Sequence, residues 1–166
     1  MTDMHQNEID EVLGRPLSRE LLDRPYARLA YVAKDGTPRA IPLAFVWNGT
    51  EVVFVTPPNA PKLVSLRANP AVALTIDTEE HPPKILLIRG RAELDQVDGI
   101  PDEYLQANAV PPDQFDAWEK EIRSLYTEGM VRVVITPTWA KLIDFESTLP
   151  TAVEELVQAR EERQRA

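Results

Sequence analysis

The sequence predicts one mainly β or α+β domain, an antiparallel β-barrel of about six strands with helices as inserts. Two hairpin-turn dipeptides, Asp35-Gly36 and Asn48-Gly49, separate segments rich in Val, Leu and Tyr. Apolar residues also alternate over residues 71–77, as in a strand with one buried face. Two hairpins with such short turns indicate an antiparallel sheet.

The strand prediction covers six segments. They are residues 27–33, 39–47, 51–56, 71–77, 84–94 and 130–145. Pro42 indicates that its strand lies at an edge or a bulge, because proline cannot donate to the ladder. Gly90 indicates a bulge, and Pro137 interrupts the last segment.

The chain divides into three parts. We expect a polar, weakly ordered lead-in at residues 1–16, the barrel domain at 17–148 and a charged helix at 149–166. Helices within the barrel domain are predicted at 17–23, 62–68 and 100–126, the last divided by two prolines. Asn59 is the predicted N-cap of the helix at 62–68. A capping box at Thr151 and Glu154 opens the C-terminal helix.

Composition excludes several classes of partner. A net charge of -9 in 166 residues argues against nucleic acid and against an anionic membrane surface, whereas a local basic pocket can still bind a small anion. No apolar stretch reaches the ~18 residues of a membrane span, and residues 1–15 show no signal peptide. The absence of cysteine suits a reducing compartment, so we expect a cytoplasmic location.

Acid–base and metal chemistry have little support. The two histidines, His5 and His81, lie in an N-terminal segment and a proline-flanked loop, and no spacing of His, Cys and carboxylates indicates a metal site. No nucleophile elbow and no Gly-rich phosphate loop occur. Catalytic side chains are therefore not identified, and the chain either binds a ligand or lets a cofactor supply the chemistry.

The best candidate site lies where the strand ending at Thr56 meets the helix starting near Pro61. A helix N-terminus attracts anions, whereas Lys62 in that first turn opposes the helix dipole. A bound anion would explain Lys62, but residue patterns alone favour an ordinary solvated surface lysine. Arg39 and Lys84 are further basic candidates that could also be ordinary strand charges.

The order of these residues resembles the pyridoxamine 5′-phosphate oxidase-like flavin-binding split barrels. The resemblance rests on Pro38-Arg39-Ala-Ile-Pro-Leu, then Val-Phe-Val-Thr56, then Lys62 eight residues before Pro70 of Asn69-Pro70, and later Ile-Arg-Gly90-Arg-Ala-Glu93. It covers about residues 20–97 well and 130–145 more loosely. It implies a six- to seven-stranded antiparallel split β-barrel with short flanking helices.

The resemblance also implies a homodimer with two cofactor sites at the interface. In such proteins Arg39, Ala40, Ile41 and Pro42 would line the isoalloxazine of FMN. Thr56, Asn59 and Lys62 would hold its phosphate, and Lys84 could approach from the barrel-closing strand. The implied activity is hydride transfer between FMN and a small, unidentified substrate.

This sequence departs from the family pattern at two places. Pro61 stands where members that oxidise pyridoxamine phosphate usually carry arginine, and their basic, aromatic C-terminal motif is missing. The resemblance therefore does not extend to vitamin B6 oxidation. The branch that uses the deazaflavin F420 fits about as well, and a non-catalytic flavin- or haem-binding protein on the same barrel is the other alternative.

Overall fold

A computed structural model describes residues 4–166 of the chain. Seven strands form one sheet: β1 (Tyr26–Val32), β2 (Pro38–Ala44), β3 (Val46–Trp47), β4 (Val52–Thr56), β5 (Ala71–Asp77), β6 (Ile85–Val97) and β7 (Met130–Ile143). Six helices accompany them: α1 (Gln6–Gly14), α2 (Pro16–Leu22), α3 (Pro61–Ala68), α4 (Asp102–Asn108), α5 (Pro112–Leu125) and α6 (Thr151–Arg165). The antiparallel α+β prediction is confirmed.

The strand order explains why the barrel is split. Across the sheet the order is β2-β1-β5-β6-β7-β4-β3, and all neighbours are antiparallel. The outermost strands, β2 and β3, are separated in the chain by Phe45 alone, which is buried. The sheet therefore curls until its two edges meet at Phe45, yet no ladder joins them. The expected single strand over 39–47 breaks here because the chain leaves β2 to pair with β4.

Proline and glycine occupy the irregular positions that the sequence indicates. Pro42 lies in β2, which is an edge strand. Gly90 sits at a register shift between β6 and β7, where it faces Pro137. That bulge lets β7 run unbroken through Pro137, so the expected interruption of this strand does not occur.

The N-terminal segment differs from the weakly ordered lead-in that composition suggests. Helix α1 buries Ile9, Val12 and Leu13 in the same core cluster as the strand residues. The buried Ser18 hydroxyl donates to the Val12 carbonyl at 2.6 Å and joins α1 to α2. The part of residues 1–16 that precedes Met4 lies outside the described residues.

Two predicted helix caps are wrong, although both helices form. Ala60, not Asn59, is the N-cap of α3, with no side-chain cap. Pro150 is the N-cap of α6, and the Glu154 carboxylate accepts a hydrogen bond from the Leu149 N–H instead of closing a capping box. Ala60 is held extended because it precedes Pro61, and the ring of Pro150 fixes its own φ, so each helix begins from an extended residue that has no side-chain cap.

Candidate functional site

The β4–α3 junction places Thr56 and Lys62 around one cavity. Thr56 ends β4 with its side chain buried, and Lys62 follows Pro61 in the first turn of α3. The cavity measures about 160 Å³. Its walls are Leu43, Ala44, Phe54, Val55, Thr56, Lys62, Tyr104, Ala107 and Asn108. We call it the Lys62 cavity.

Lys62 is a half-buried cation without a counter-ion. Its ammonium group makes no hydrogen bond or ion pair with residues 4–166, and the Thr56 hydroxyl is likewise unbonded within that range. Burial lowers the pKa of Lys62, because desolvation disfavours the charged form. An anion in the cavity would offset that desolvation, so the arrangement suits a bound phosphate or carboxylate.

Helix α4 forms the roof of the Lys62 cavity through Tyr104 and Asn108. The Asn108 amide donates to the Tyr104 carbonyl at 2.7 Å. The Tyr104 ring lies parallel to Trp118 with centroids 6.0 Å apart and meets Tyr126 edge-on at 5.8 Å. Burial, together with the Tyr126 hydroxyl, raises the pKa of Tyr104, so its phenol stays protonated and neutral.

Tyr104 and Asn108 were not anticipated from the sequence. No local motif marks them, because α4 reaches the cavity only through the long β6–β7 connection. Leu43 and Ala44 could have been inferred as site residues from the sequence, because they directly follow the predicted site residue Pro42 on the same strand.

The predicted β2 residues do not line the Lys62 cavity. Ile41 packs against the core, whereas Ala40 and Pro42 pair with the outward residues Ala30 and Arg28. The Arg39 guanidinium pairs with Asp35 at 3.3 Å and donates to Thr37 in its own hairpin loop. Within one chain, Thr56 and Lys62 therefore share a cavity whose lining does not include Arg39–Pro42.

Asn59 and Lys84 also lie outside the Lys62 cavity. Asn59 borders a separate depression with Pro57, Pro58 and residues 125–129. Lys84 precedes β6, and its ammonium is 3.6 Å from the Glu80 carboxylate. Their predicted cofactor roles stay predictions.

A second concave surface lies on the outer face of β1, β5 and β6. This outer groove of about 490 Å³ has a small apolar floor that includes Ala30, Val32, Ala71 and Ala73. Arg89 and Arg91 of β6 form its basic side, and the Arg89 guanidinium lies 4.1 Å from the ring centre of Trp139. Within residues 4–166 no helix covers this floor, since Ala30, Val32 and Ala71 are exposed.

Residues 4–166 contain no group of three or more His, Asp or Glu placed to hold a metal ion. His5 and His81 are not among the residues that line the Lys62 cavity. No helix in the described range is long and apolar enough to cross a membrane.

A family model and several solved structures match this chain. The model of the family described as Pyridoxamine 5′-phosphate oxidase matches residues 16–136. No curated protein matches the chain. A solved structure named F420 Reductase is 28% identical, with a TM-score of 0.53, covering 74% of this chain and 94% of that one.

Two further solved structures share the fold. A putative pyridoxamine 5′-phosphate oxidase from Listeria innocua is 18% identical, with a TM-score of 0.55, covering 81% of this chain and 98% of that one. The haem storage protein HutZ from Vibrio cholerae is 19% identical, with a TM-score of 0.52, covering 83% and 92%.

Proposed function

The chain belongs to the pyridoxamine 5′-phosphate oxidase family, and from that premise we propose that it is a flavin-type oxidoreductase acting on a small substrate. The observation that carries this proposal is the half-buried, unpaired Lys62 beside Thr56. A single unpaired cation in a cavity of this size fits the phosphate of a cofactor tail. The first candidate cofactor is FMN.

The chain's own groups would bind and orient rather than exchange protons. The Lys62 ammonium and the Thr56 hydroxyl would donate to phosphate oxygens, and α4 would shield them from water. Tyr104 keeps its proton, so the roof adds no negative charge beside the anion. When bound, the flavin supplies hydride transfer, and the protein supplies position and electrostatics.

F420 is the second candidate cofactor, and two observations favour it. Lys62 is the sole charged residue among the described residues that line the cavity. The phosphomonoester of FMN carries nearly two charges at pH 7, because its second pKa is about 6, whereas a phosphodiester such as that of F420 carries one. The 28% identical solved structure is an F420 reductase.

We further propose a homodimer in the cytoplasm, with the cofactor sites at the interface. Two features support the dimer. Arg39–Pro42 lie apart from Lys62 within one chain, and an exposed apolar floor lies on the outer sheet face. The lack of cysteine supports the reducing compartment.

Titration of the purified protein with FMN and with F420, followed by absorption and fluorescence, tests the cofactor proposal. Replacing Lys62 by alanine should weaken the preferred cofactor by about 1.5–3 kcal/mol, or roughly 10- to 150-fold, by loss of a charge-assisted contact. Lys120→Ala, on an exposed position of α5, is the matched control and should leave affinity unchanged. Equal affinities for wild type and Lys62→Ala would remove Lys62 from the site, and no binding of either cofactor would refute the proposal.

The same titration has an expected pH dependence. Burial holds the pKa of Lys62 below its ordinary 10.5, so affinity should be retained below that lowered pKa and fall as pH rises through it. Lys62→Arg keeps its charge and should shift the fall to higher pH. A decline at the same pH in both proteins would assign it to another group.

A further inference from the structure

Helix α6 carries an apolar stripe that the described part of the chain leaves largely unburied, with Val157 partly covered. None of its residues is buried, and Leu156 is 68% exposed and Val153 39% exposed. Val153, Leu156 and Val157 fall on one side at helical spacing, and Arg160 follows on that side and ends its apolar part. Glu154 and Glu161 lie along one border, and the Glu161 carboxylate is 3.6 Å from the Arg165 guanidinium. An amphipathic stripe of this kind normally faces a partner surface.

The start of α6 is held on the outer side of the sheet. The Lys141 ammonium of β7 donates to the Thr151 hydroxyl at 2.9 Å. Lys141 lies two residues from Trp139, the ring that Arg89 covers, so it shares the face that carries the outer groove.

The turn before α6 also has a defined conformation. The Asp144 carboxylate accepts hydrogen bonds from the backbone N–H groups of Glu146, Ser147 and Thr148 at 2.8–2.9 Å. The Ser147 hydroxyl, which donates to the same carboxylate at 2.6 Å, and these backbone bonds lower the pKa of Asp144, so the turn is held by a charged acceptor. Helix α6 therefore leaves the barrel in a fixed direction.

The outer groove and the α6 stripe are complementary. The groove offers a floor of Ala30, Ala71 and Ala73 beside Arg89 and Arg91, and the stripe offers branched apolar side chains beside acidic ones. A helix of 15 residues is about 22 Å long, enough to cross three or four strands spaced about 4.8 Å apart.

We propose that α6 packs its Val153–Leu156 stripe into the outer groove of a second copy of this chain. The two copies exchange these helices reciprocally about a two-fold axis. The small alanines admit Leu156, and Glu154 and Glu161 face Arg89 and Arg91. The inference rests on the homodimer of the proposed function but not on the identity of its cofactor.

Cross-linking tests the contact directly, because the chain contains no cysteine. Leu156→Cys and Ala73→Cys are prepared in separately tagged chains, mixed to allow subunit exchange and treated with a short bismaleimide. We expect a covalent dimer that contains both tags. Lys120→Cys replaces Ala73→Cys as the control and should give no such product.

Three outcomes would overturn the inference. The first is a dimer in which Leu156→Cys does not cross-link to Ala73→Cys. The second is cross-linking of Leu156→Cys only to itself, which would indicate that two α6 helices pair. The third is a wild-type chain that sediments as a monomer.

A second measurement does not depend on cross-linker geometry. Leu156→Glu should raise the dimer dissociation constant at least about tenfold in sedimentation, whereas Gln158→Glu adds the same charge on the opposite side of α6 and should leave it unchanged. An unchanged dimer dissociation constant for Leu156→Glu would overturn the inference.

Cofactor binding is measured separately. A dimer that binds cofactor but does not form the cross-link refutes this inference alone. A cross-linked dimer that binds neither FMN nor F420 refutes the cofactor proposal alone.

Discussion

The ion pair between Glu103 of α4 and Arg132 of β7 fastens the roof of the Lys62 cavity to the barrel. The Arg132 Nε donates to a Glu103 carboxylate oxygen at 2.7 Å, and the two side chains are 26% and 27% exposed. Burial alone would raise the pKa of Glu103, but the Arg132 hydrogen bond and charge outweigh it and keep that pKa below its usual value. Removing the pair should therefore weaken both folding and ligand binding.

The magnitude follows from the partial burial of the pair. Exposed ion pairs contribute about 0.2–1 kcal/mol, and removing one partner of a fully buried pair costs about 3–5 kcal/mol. At about one-quarter exposure, we expect Glu103→Gln to lower the free energy of unfolding by about 1–2 kcal/mol, with a coupling energy to Arg132 of about 1 kcal/mol. Because the pKa of Glu103 in the folded state is lowered from its ordinary 4.5, the stabilisation is fully present above pH 4.5. It is lost as the pH falls from 4.5 through the lowered pKa.

A double-mutant cycle in urea measures that coupling energy with Glu103→Gln, Arg132→Gln and the double variant. The matched control is the i,i+4 pair of Glu119 and Arg123 on α5, for which we expect only about 0.3–0.5 kcal/mol. Cofactor titration of Glu103→Gln should also show weaker binding. A coupling energy no larger than that of the control pair would refute the assignment of this ion pair as the anchor of α4.

Two glycine substitutions should act in opposite directions. Gly90→Ala should destabilise the fold by about 1–3 kcal/mol in urea unfolding, because the added Cβ would lie 2.5 Å from the Thr136 carbonyl oxygen. Gly14→Ala is the control and should not destabilise the fold, since the space around Gly14 is open. Equal effects of the two substitutions would contradict this account. Ala109→Gly should stabilise the fold by about 0.5–1 kcal/mol, because Ala109 ends α4 at a φ of +45°, which glycine adopts with less strain than alanine. Ala117→Gly, inside α5, is the control and should destabilise the fold. A loss of stability in Ala109→Gly would contradict the argument that Ala109 is strained.

The sheet was more predictable than the site. Strand alternation and turn dipeptides are local, so they located every strand, although not the break at Phe45 that separates β2 from β3. Helix α1 was missed although Ile9, Val12 and Leu13 have helical spacing, because the surrounding polar residues outweighed three apolar ones.

The site was predictable only in part because its members come from distant segments. Thr56 and Lys62 are six residues apart, and their proximity follows from a strand–helix junction. Tyr104 and Asn108 reach the same cavity through a helix inserted between β6 and β7, and no local pattern encodes that packing. In the proposed dimer, a contact between Arg39 and the cofactor would depend on a second chain, which one sequence pattern does not describe.

The prolines of β2 restrict how copies of this chain can associate. An exposed edge strand offers a template on which another strand can add and extend the sheet from one molecule to the next. Pro38 and Pro42 have no N–H group, and a strand tolerates proline where that group would face solvent, so the free edge of β2 lacks two of its donors. Association through a sheet that continues across this edge from one molecule to the next is thereby disfavoured, so a contact made on this side would have to use side chains.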